Sequence, residues 1–181
     1  VNGKLSYLLD SINLFIVPQL NPDGGDINDR RNADGVDPNR DHVLMLSPEV
    51  KFLHEYFNSF KPEVAIDIHE YQPYRESWFE FGYLKQFDEQ LGCMTNTNID
   101  KDLIDISKKE ILPYVKERLE KEEYTFFEYT VGFLPEGERM RHSTVDVNDG
   151  RHGFGIQNTL SFIIEGINGK DSISNIERRA K

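Results

Sequence analysis

Polar and charged residues directly follow three apolar segments of this 181-residue sequence. Each apolar segment has the length and composition of a buried strand. The segments are 13–17, which leads into 18–24; 64–68, which leads into His69; and 160–164, which leads into Glu165. In an open α/β sheet, ligands bind just beyond the carboxyl ends of the strands. The pattern therefore predicts that these polar residues converge on one crevice.

The residues near these strand ends carry groups that bind metals, hold carboxylates and move protons. A neutral imidazole such as that of His69 is a common zinc ligand, although a lone histidine here is also typical of a cap or core residue. The guanidinium groups of Arg30 and Arg40 suit bidentate binding of a carboxylate, or ion pairs on an acidic surface. The carboxylate of Glu165 suits general-base catalysis. The alternative is a glutamate at a strand end that faces solvent and has no catalytic role.

The order of five short segments resembles that of the zinc carboxypeptidases, the metallocarboxypeptidase family. The segments are Asn21-Pro22-Asp23-Gly24, Arg30-Arg31-Asn32, Gly35-Val36-Asp37-Pro38-Asn39-Arg40, Ile66-Asp67-Ile68-His69-Glu70-Tyr71 and Phe162-Ile163-Ile164-Glu165. The resemblance spans from about Ile12 to Glu165, which is most of the chain. One such segment is a weak signal, but five in the same order, each at a strand end or in a loop, form a specific one.

The resemblance implies one catalytic Zn²⁺ held by a histidine, a glutamate and a second histidine, which His69 matches. The other two ligands are expected in a His-x-x-Glu segment, yet none of the five histidines has a glutamate three positions later. We therefore expect those ligands upstream of Val1. The chain, 1–181, would then be a single domain forming the C-terminal two-thirds of the catalytic domain, inactive by itself. A relative that has lost its metal is the alternative.

The resemblance also implies roles for the residues that contact substrate. Asn39 and Arg40 match the pair that holds the terminal carboxylate of the substrate, and Tyr71 is assigned to substrate binding. Arg30 matches the residue that stabilises the oxyanion, with its neighbour Arg31 as the alternative. Glu165 matches the general base, which takes a proton from the attacking water and passes it to the leaving amine. The implied partners are peptide or protein C-termini.

The sequence departs from the family pattern in the region that precedes the catalytic glutamate. Well-known members have a mobile tyrosine there, but no tyrosine occurs between Val131 and Glu165. Asp146 and Asp149 suit either a pocket for basic side chains or a solvated acidic loop. The resemblance therefore leaves the capping residue and the side-chain preference open.

The expected activity is zinc-dependent hydrolysis of the C-terminal peptide bond of peptides and proteins. One alternative is a related zinc amidase or deacylase that acts on peptidoglycan stems or N-acyl amino acids. Another is a domain that binds peptide C-termini without catalysis, which would need Asn39 and Arg40 but not Glu165. The segment Asn21-Pro22-Asp23-Gly24, together with Asn39 and Arg40, favours the peptidase.

The elements that must position these residues alternate between helices and short strands. The expected helices are the tail of a helix at 5–12, a helix from Ser47-Pro48 to Phe60, one over 101–121 kinked at Pro113, and an opening helix at 172–180. The expected strands are 13–17, 62–69, 78–84, 124–131 and 160–164, with polar loops at 19–42 and 132–152. This order predicts a three-layer α/β/α fold whose mixed, mostly parallel twisted sheet is buried on both faces and incomplete at the N-terminus.

Composition narrows the partners and the compartment. Lys and Arg number 21 against 32 Asp and Glu, a net charge of −11, which disfavours nucleic acid and anionic membranes as partners. No apolar run approaches the roughly 20 residues that span a bilayer. The single cysteine, Cys93, cannot form an internal disulfide, which is compatible with the cytoplasm and with secretion. The oligomeric state is left open.

Overall fold

The computed structural model of the protein describes residues 6–73, 79–80, 82, 84–131 and 143–168. We label the helices and strands in chain order. They are α1 (Pro22–Ile27), α2 (Pro48–Phe60), β1 (Val64–Tyr71), β2 (Glu89–Gly92), α3 (Lys101–Ile106), α4 (Leu112–Lys121), β3 (Phe126–Glu128), α5 (Gly150–Gly155) and β4 (Leu160–Ile167). Two 3₁₀ turns, Ser6–Asp10 and Pro38–Arg40, and a π-helical segment, Ser107–Ile111, complete the set.

The four strands form one mixed sheet in the order β1-β4-β2-β3. β1 and β4 are parallel over their whole length, from Val64 opposite Leu160 to Tyr71 opposite Ile167. β2 runs antiparallel to β4 and parallel to β3. Two of the three pairings are therefore parallel, which confirms the predicted α/β fold with a mixed, mostly parallel sheet.

Helices cover both faces of this sheet. On one face, an apolar cluster centred on Leu91, Phe126 and Phe162 packs against the π-helical segment and α4. On the other face, α5 packs against β4 and β1. α2 lies outside α5, where the rings of Phe57 and Phe154 stack with centroids 4.4 Å apart. The arrangement is the expected three layers, because successive residues of each strand point to opposite faces.

The helical cover is incomplete over β1, which corrects the prediction of a sheet buried on both faces. The side chains of Val64, Ile66 and Ile68 share one face of β1 and are 47%, 55% and 78% exposed. Among the described residues, the π-helical segment and α4 cover the neighbouring strands and leave this part of the face uncovered. β1 thus presents an apolar surface to solvent, of a kind that commonly marks an interaction surface.

The predicted strand over Asn13–Val17 is wrong. These residues have no regular secondary structure, and Leu14 and Ile16 are 59% and 64% exposed. A strand needs a neighbouring strand to satisfy its backbone groups, and in the described part of the chain this segment has none. Instead, Phe15 stacks on Tyr56 of α2, with ring centroids 3.9 Å apart.

The other predicted elements are largely confirmed. α2 begins after Ser47 and ends at Phe60 as expected. The helical stretch 101–121 divides ahead of Pro113, through the π-helical segment, because proline lacks the N–H that would continue the ladder. The prediction of a loop over 19–42 is wrong in part, because this stretch contains α1 and a 3₁₀ turn. Residues 78, 81 and 83, like 132–142 and 172–180, lie outside the described residues. The strand predicted over 78–84 is wrong for its described residues, since none of Phe79, Glu80, Gly82 and Leu84 lies in a strand.

The described helices are too short or too polar to cross a bilayer.

We predict that the apolar face of β1 drives self-association of the chain. Replacing Ile66 and Ile68 with threonine keeps strand propensity and removes exposed apolar surface, so oligomers seen by analytical ultracentrifugation should decrease. The free energy of unfolding should change by less than about 1 kcal/mol, as is usual for surface positions. The matched control is Ile163→Thr in β4, whose parent side chain is 5% exposed; it should lose about 2–4 kcal/mol. A wild-type chain that stays monomeric at all concentrations would contradict the prediction.

Candidate active site

His69 and Glu165 lie side by side at the carboxyl ends of β1 and β4. They are register partners in the parallel pairing, so their side chains project from the same face of the sheet. Glu70, the next residue of β1, projects from the opposite face and is exposed. The strand pairing therefore places an imidazole beside a carboxylate at one edge of the sheet.

The ring of His69 is held through its Nε2 atom. Nε2 lies 2.8 Å from Asp67 Oδ2, and the two side chains are each 31% exposed. Burial lowers the pKa of His69, but the hydrogen bond and charge of Asp67, and the charge of Glu165, outweigh burial and raise it overall. Asp67 lies two residues before His69 on the same strand face, and this spacing is a sequence signal that our prediction overlooked.

Asn39 links the ring of His69 to the start of α5. Its Nδ2 atom lies 2.9 Å from His69 Nε2, while its Oδ1 accepts a hydrogen bond of 2.8 Å from the Gly150 N–H. A single ring nitrogen cannot donate to Asp67 and accept from Asn39 in the same state. The bond to the charged carboxylate is the stronger. We therefore place the Nε2 proton towards Asp67.

This geometry fits one position of a metal site. A histidine that binds a metal commonly donates its second ring N–H to a carboxylate, which fixes the tautomer and the ring orientation. With Nε2 bonded to Asp67, Nδ1 is the ring nitrogen that carries the lone pair. Among the described residues, no group of three or more His, Cys, Asp or Glu side chains could hold a metal ion. A metal at His69 would therefore need further ligands from elsewhere.

The two predicted arginines lie near His69, in exposed positions. Arg30 donates through Nε to Asp37 Oδ2 at 2.6 Å, with its side chain 61% exposed, and its charge acts to lower the pKa of His69. Arg40 is exposed and donates through Nη1 to the carbonyl of Asn39 at 2.5 Å. The backbone N–H of Arg31 donates to Asp29 Oδ1 at 2.8 Å.

Tyr71 and Tyr129 lie close enough to Glu165 for its charge to act on both phenols. Burial and the charge of Glu165 both raise the pKa of Tyr129, to about 12. Burial, with smaller effects from Asp88 and Glu165, raises the pKa of Tyr71 above its usual range, and its hydroxyl donates to the carbonyl of Phe87. Both phenols are therefore neutral at physiological pH. The sequence prediction placed Tyr71 at the site and missed Tyr129.

A buried arginine lies behind Tyr129. Arg151 is 2% exposed and donates to the carbonyl of Cys93 at 3.3 Å and to Ser143 Oγ at 2.6 Å. Its guanidinium carbon lies 5.2 Å from the centre of the Tyr129 ring. A Cβ at Gly92 would lie 2.6 Å from Arg151 Nη1 and 2.5 Å from Ile163 Cγ2, so a side chain at this position would displace one or both.

Asp149 caps the start of α5, the helix that contains Arg151. Its Oδ1 accepts the N–H of His152 at 2.7 Å, and its Oδ2 lies 3.5 Å from Arg151 Nη2. Burial raises the pKa of Asp149, but bonding to His152 and the charge of Arg151 prevail and lower it to about 2. The Asp149 carboxylate therefore binds groups of the protein itself. Asp146, the other residue considered for a pocket that takes basic side chains, is exposed.

Two buried histidines lie beneath α5. His42 Nδ1 and His54 Nε2 are 3.0 Å apart, and the two rings pack edge-on. Burial lowers the pKa of His42 to about 4, since the neighbouring carboxylates offset burial only in part. Burial also lowers the pKa of His54. Both rings are therefore neutral near pH 7 and act as packing residues under the site.

Comparisons with known proteins agree with the predicted resemblance. The chain is 27% identical over 160 residues to carboxypeptidase 2 of Trichophyton rubrum and 27% identical over 164 residues to a probable carboxypeptidase 2 of Arthroderma benhamiae. Each match covers 87% of this chain, which spans about 30% of the length of these relatives. No protein-family model matches the chain.

The fold resembles that of a metallocarboxypeptidase from Pseudomonas aeruginosa, solved in complex with (2-guanidinoethylmercapto)succinic acid. The TM-score is 0.58 at 21% identity, over 90% of this chain and 41% of the other. The relatives in sequence are thus named carboxypeptidases, and the solved structure of similar fold is a metallocarboxypeptidase.

We predict that Asp149 stabilises the fold in a pH-dependent way. Its pKa in the folded state is about 2, below the 3.8 of a free aspartate side chain, so its contribution is present above pH 4 and is lost as the pH falls towards 2. Asp149→Asn keeps an oxygen to cap α5 but removes the charge. At pH 7 the variant should be less stable by about 2 kcal/mol.

The measurement is urea unfolding of wild-type protein and Asp149→Asn at several pH values between 7 and 2.5. The difference in free energy of unfolding should shrink steadily below pH 4. A difference that does not vary with pH would show that the charge of Asp149 does not contribute.

Proposed function

We propose that the protein is a zinc-dependent metallocarboxypeptidase that hydrolyses the C-terminal peptide bond of peptides and proteins. The observation that carries the proposal is the pairing of His69 with Glu165 on one face of β1 and β4, with Asn39 at 2.9 Å from the same imidazole. These residues come from three distant parts of the sequence. The similarity to carboxypeptidase 2 over 87% of the chain supports the proposal.

Glu165 is the proposed general base. Its side chain is 14% exposed. Its backbone belongs to β4, which lies between β1 and β2 in the sheet. From this position the carboxylate takes a proton from the attacking water. It then delivers the proton to the nitrogen of the departing amine, which is a poor leaving group as an anion.

His69 is the proposed metal ligand, through Nδ1, with Asp67 holding the ring by its Nε2 proton. The remaining ligands are proposed to come from a segment that precedes Val1 in the full-length protein. When bound, Zn²⁺ would polarise the scissile carbonyl and make water more acidic. The chain itself contributes a correctly oriented imidazole and the neighbouring base.

Asn39 and Arg40 are the proposed clamp for the terminal carboxylate of the substrate. With the Nε2 proton of His69 directed at Asp67, the amide N–H groups of Asn39 are donors for an incoming acceptor. Arg40 is exposed and offers a planar fork that matches a carboxylate. Arg30 is proposed to stabilise the oxyanion with its terminal NH₂ groups, since its Nε is bonded to Asp37. Tyr71 borders the substrate.

We predict that Glu165→Gln in the full-length protein lowers kcat by about a hundredfold or more, because it removes the base and keeps the size of the side chain. Metal content should not change. The matched control is Glu70→Gln, which alters a carboxylate on the opposite face of β1 and should retain activity. The measurements are kcat on a chromogenic peptide with a free C-terminus, and zinc content.

Two outcomes would contradict the assignment of Glu165. If Glu70→Gln abolishes turnover while Glu165→Gln does not, the base is wrongly assigned. If Glu165→Gln loses its zinc, Glu165 is a metal ligand and the site needs a different description.

We predict that Arg40→Lys strongly reduces activity on peptides with a free C-terminus. Lysine keeps the charge but loses the planar pair of donors that orients a carboxylate. Amidated peptides should already be poor substrates and should change little. The measurement is kcat/KM on matched free and amidated peptides. Equal effects on both would remove Arg40 from the clamp and would favour an enzyme that cleaves other amide bonds.

A further inference from the structure

A buried lysine lies beside the proposed base. The Nζ atom of Lys85, in the segment between β1 and β2, is 3.8 Å from Glu165 Oε2, and the two side chains are 9% and 14% exposed. A lysine is rarely buried to this extent unless its charge is paired. Nothing in the strand and motif pattern of the sequence indicated Lys85.

The surroundings of Lys85 fix the position of its ammonium group. Nζ donates to the carbonyl of Thr130 at 3.2 Å. It lies 4.4 Å from the centre of the Tyr71 ring and 5.6 Å from that of Tyr129. The attraction between a cation and an aromatic ring is stronger where water is excluded. Two rings, a carbonyl and a carboxylate therefore surround one point charge.

Tyr71 and Tyr129 contact the ammonium through the faces of their rings. The carboxylate of Glu165 is a neighbour of opposite charge within the proposed active site. It neighbours both His69, its register partner on β1, and the Lys85 ammonium.

We propose that Lys85 is a positioning residue for Glu165, whose carboxylate it holds in one orientation. This inference rests on the proposed function, because it takes Glu165 as the base. Proton transfer requires the carboxylate within hydrogen-bond reach of the water and then of the amine nitrogen. A displacement of about 1 Å costs an enzyme up to about a hundredfold in rate. An ion pair enclosed by two rings restricts that displacement.

The test uses the full-length protein with its metal and compares three variants at Lys85. Lys85→Gln keeps a donor for the carbonyl of Thr130 and removes the charge, so kcat should fall about tenfold or more while KM changes by less than about twofold. Lys85→Met should behave in the same way. Lys85→Arg restores a cation and should recover most of the activity. The matched control is Lys101→Met, whose ion pair with Asp105 is exposed and whose loss should have no effect.

A double variant separates positioning from general destabilisation. In a Glu165→Gln background, Lys85→Gln should cause no further fall in kcat, because the group that it positions is absent. Thermal unfolding of each variant, followed by circular dichroism, identifies any variant that is not folded. If Lys85→Met does not fold, the kcat of the folded Lys85→Gln protein tests the proposal.

The outcomes distinguish this inference from the proposed function. If Glu165→Gln keeps wild-type turnover, the proposed function is overturned, and the role of Lys85 falls with it. If Glu165→Gln is inactive but Lys85→Gln keeps wild-type kcat, only the role of Lys85 is overturned. Equal losses of kcat for Lys85→Gln and Lys85→Arg would also overturn it.

Discussion

The parallel pairing of β1 with β4 is the constraint on which the rest of the site depends. A shift of one residue in this register would send the side chain of Glu165 to the other face of the sheet, away from His69. The apolar residues of β4 set the register, because Phe162 must face the helical layer formed by the π-helical segment and α4. Core packing on one face therefore determines the chemistry available on the other.

Buried charges organise the face that carries the site. Asp149 and Arg151 fix the start of α5, and the Gly150 N–H then orients Asn39. Removing one member of a buried ion pair costs far more than the pair contributes by itself, because the remaining charge stays desolvated. Removing either Asp149 or Arg151 alone should therefore destabilise the start of α5 strongly. This property favours a single arrangement of polar groups over a set of alternatives.

The sequence predicted the parts of the site that depend on local pattern. The apolar segments lead into His69 and Glu165, so the apolar pattern placed both residues near strand ends, although β1 and β4 extend further, to Tyr71 and Ile167. Lys85 could not be found in this way, because its environment consists of residues far from it in sequence. The error at Asn13–Val17 has a different cause, since a strand-like pattern cannot reveal whether a partner edge is within reach. Composition identifies a strand, whereas pairing depends on the whole fold.

The wide sequence separation of β1 and β4 also bears on the biosynthesis of the protein. During translation His69 leaves the ribosome long before Glu165, and β1 stays without its principal partner until Ile167 has been made. Pairings between distant segments form slowly, since a long loop must close before any contact is gained. An unfinished chain can therefore hold the imidazole of His69 but not the adjacent carboxylate. The arrangement on which hydrolysis would depend is completed late in synthesis, so incomplete chains inside a cell would not carry it.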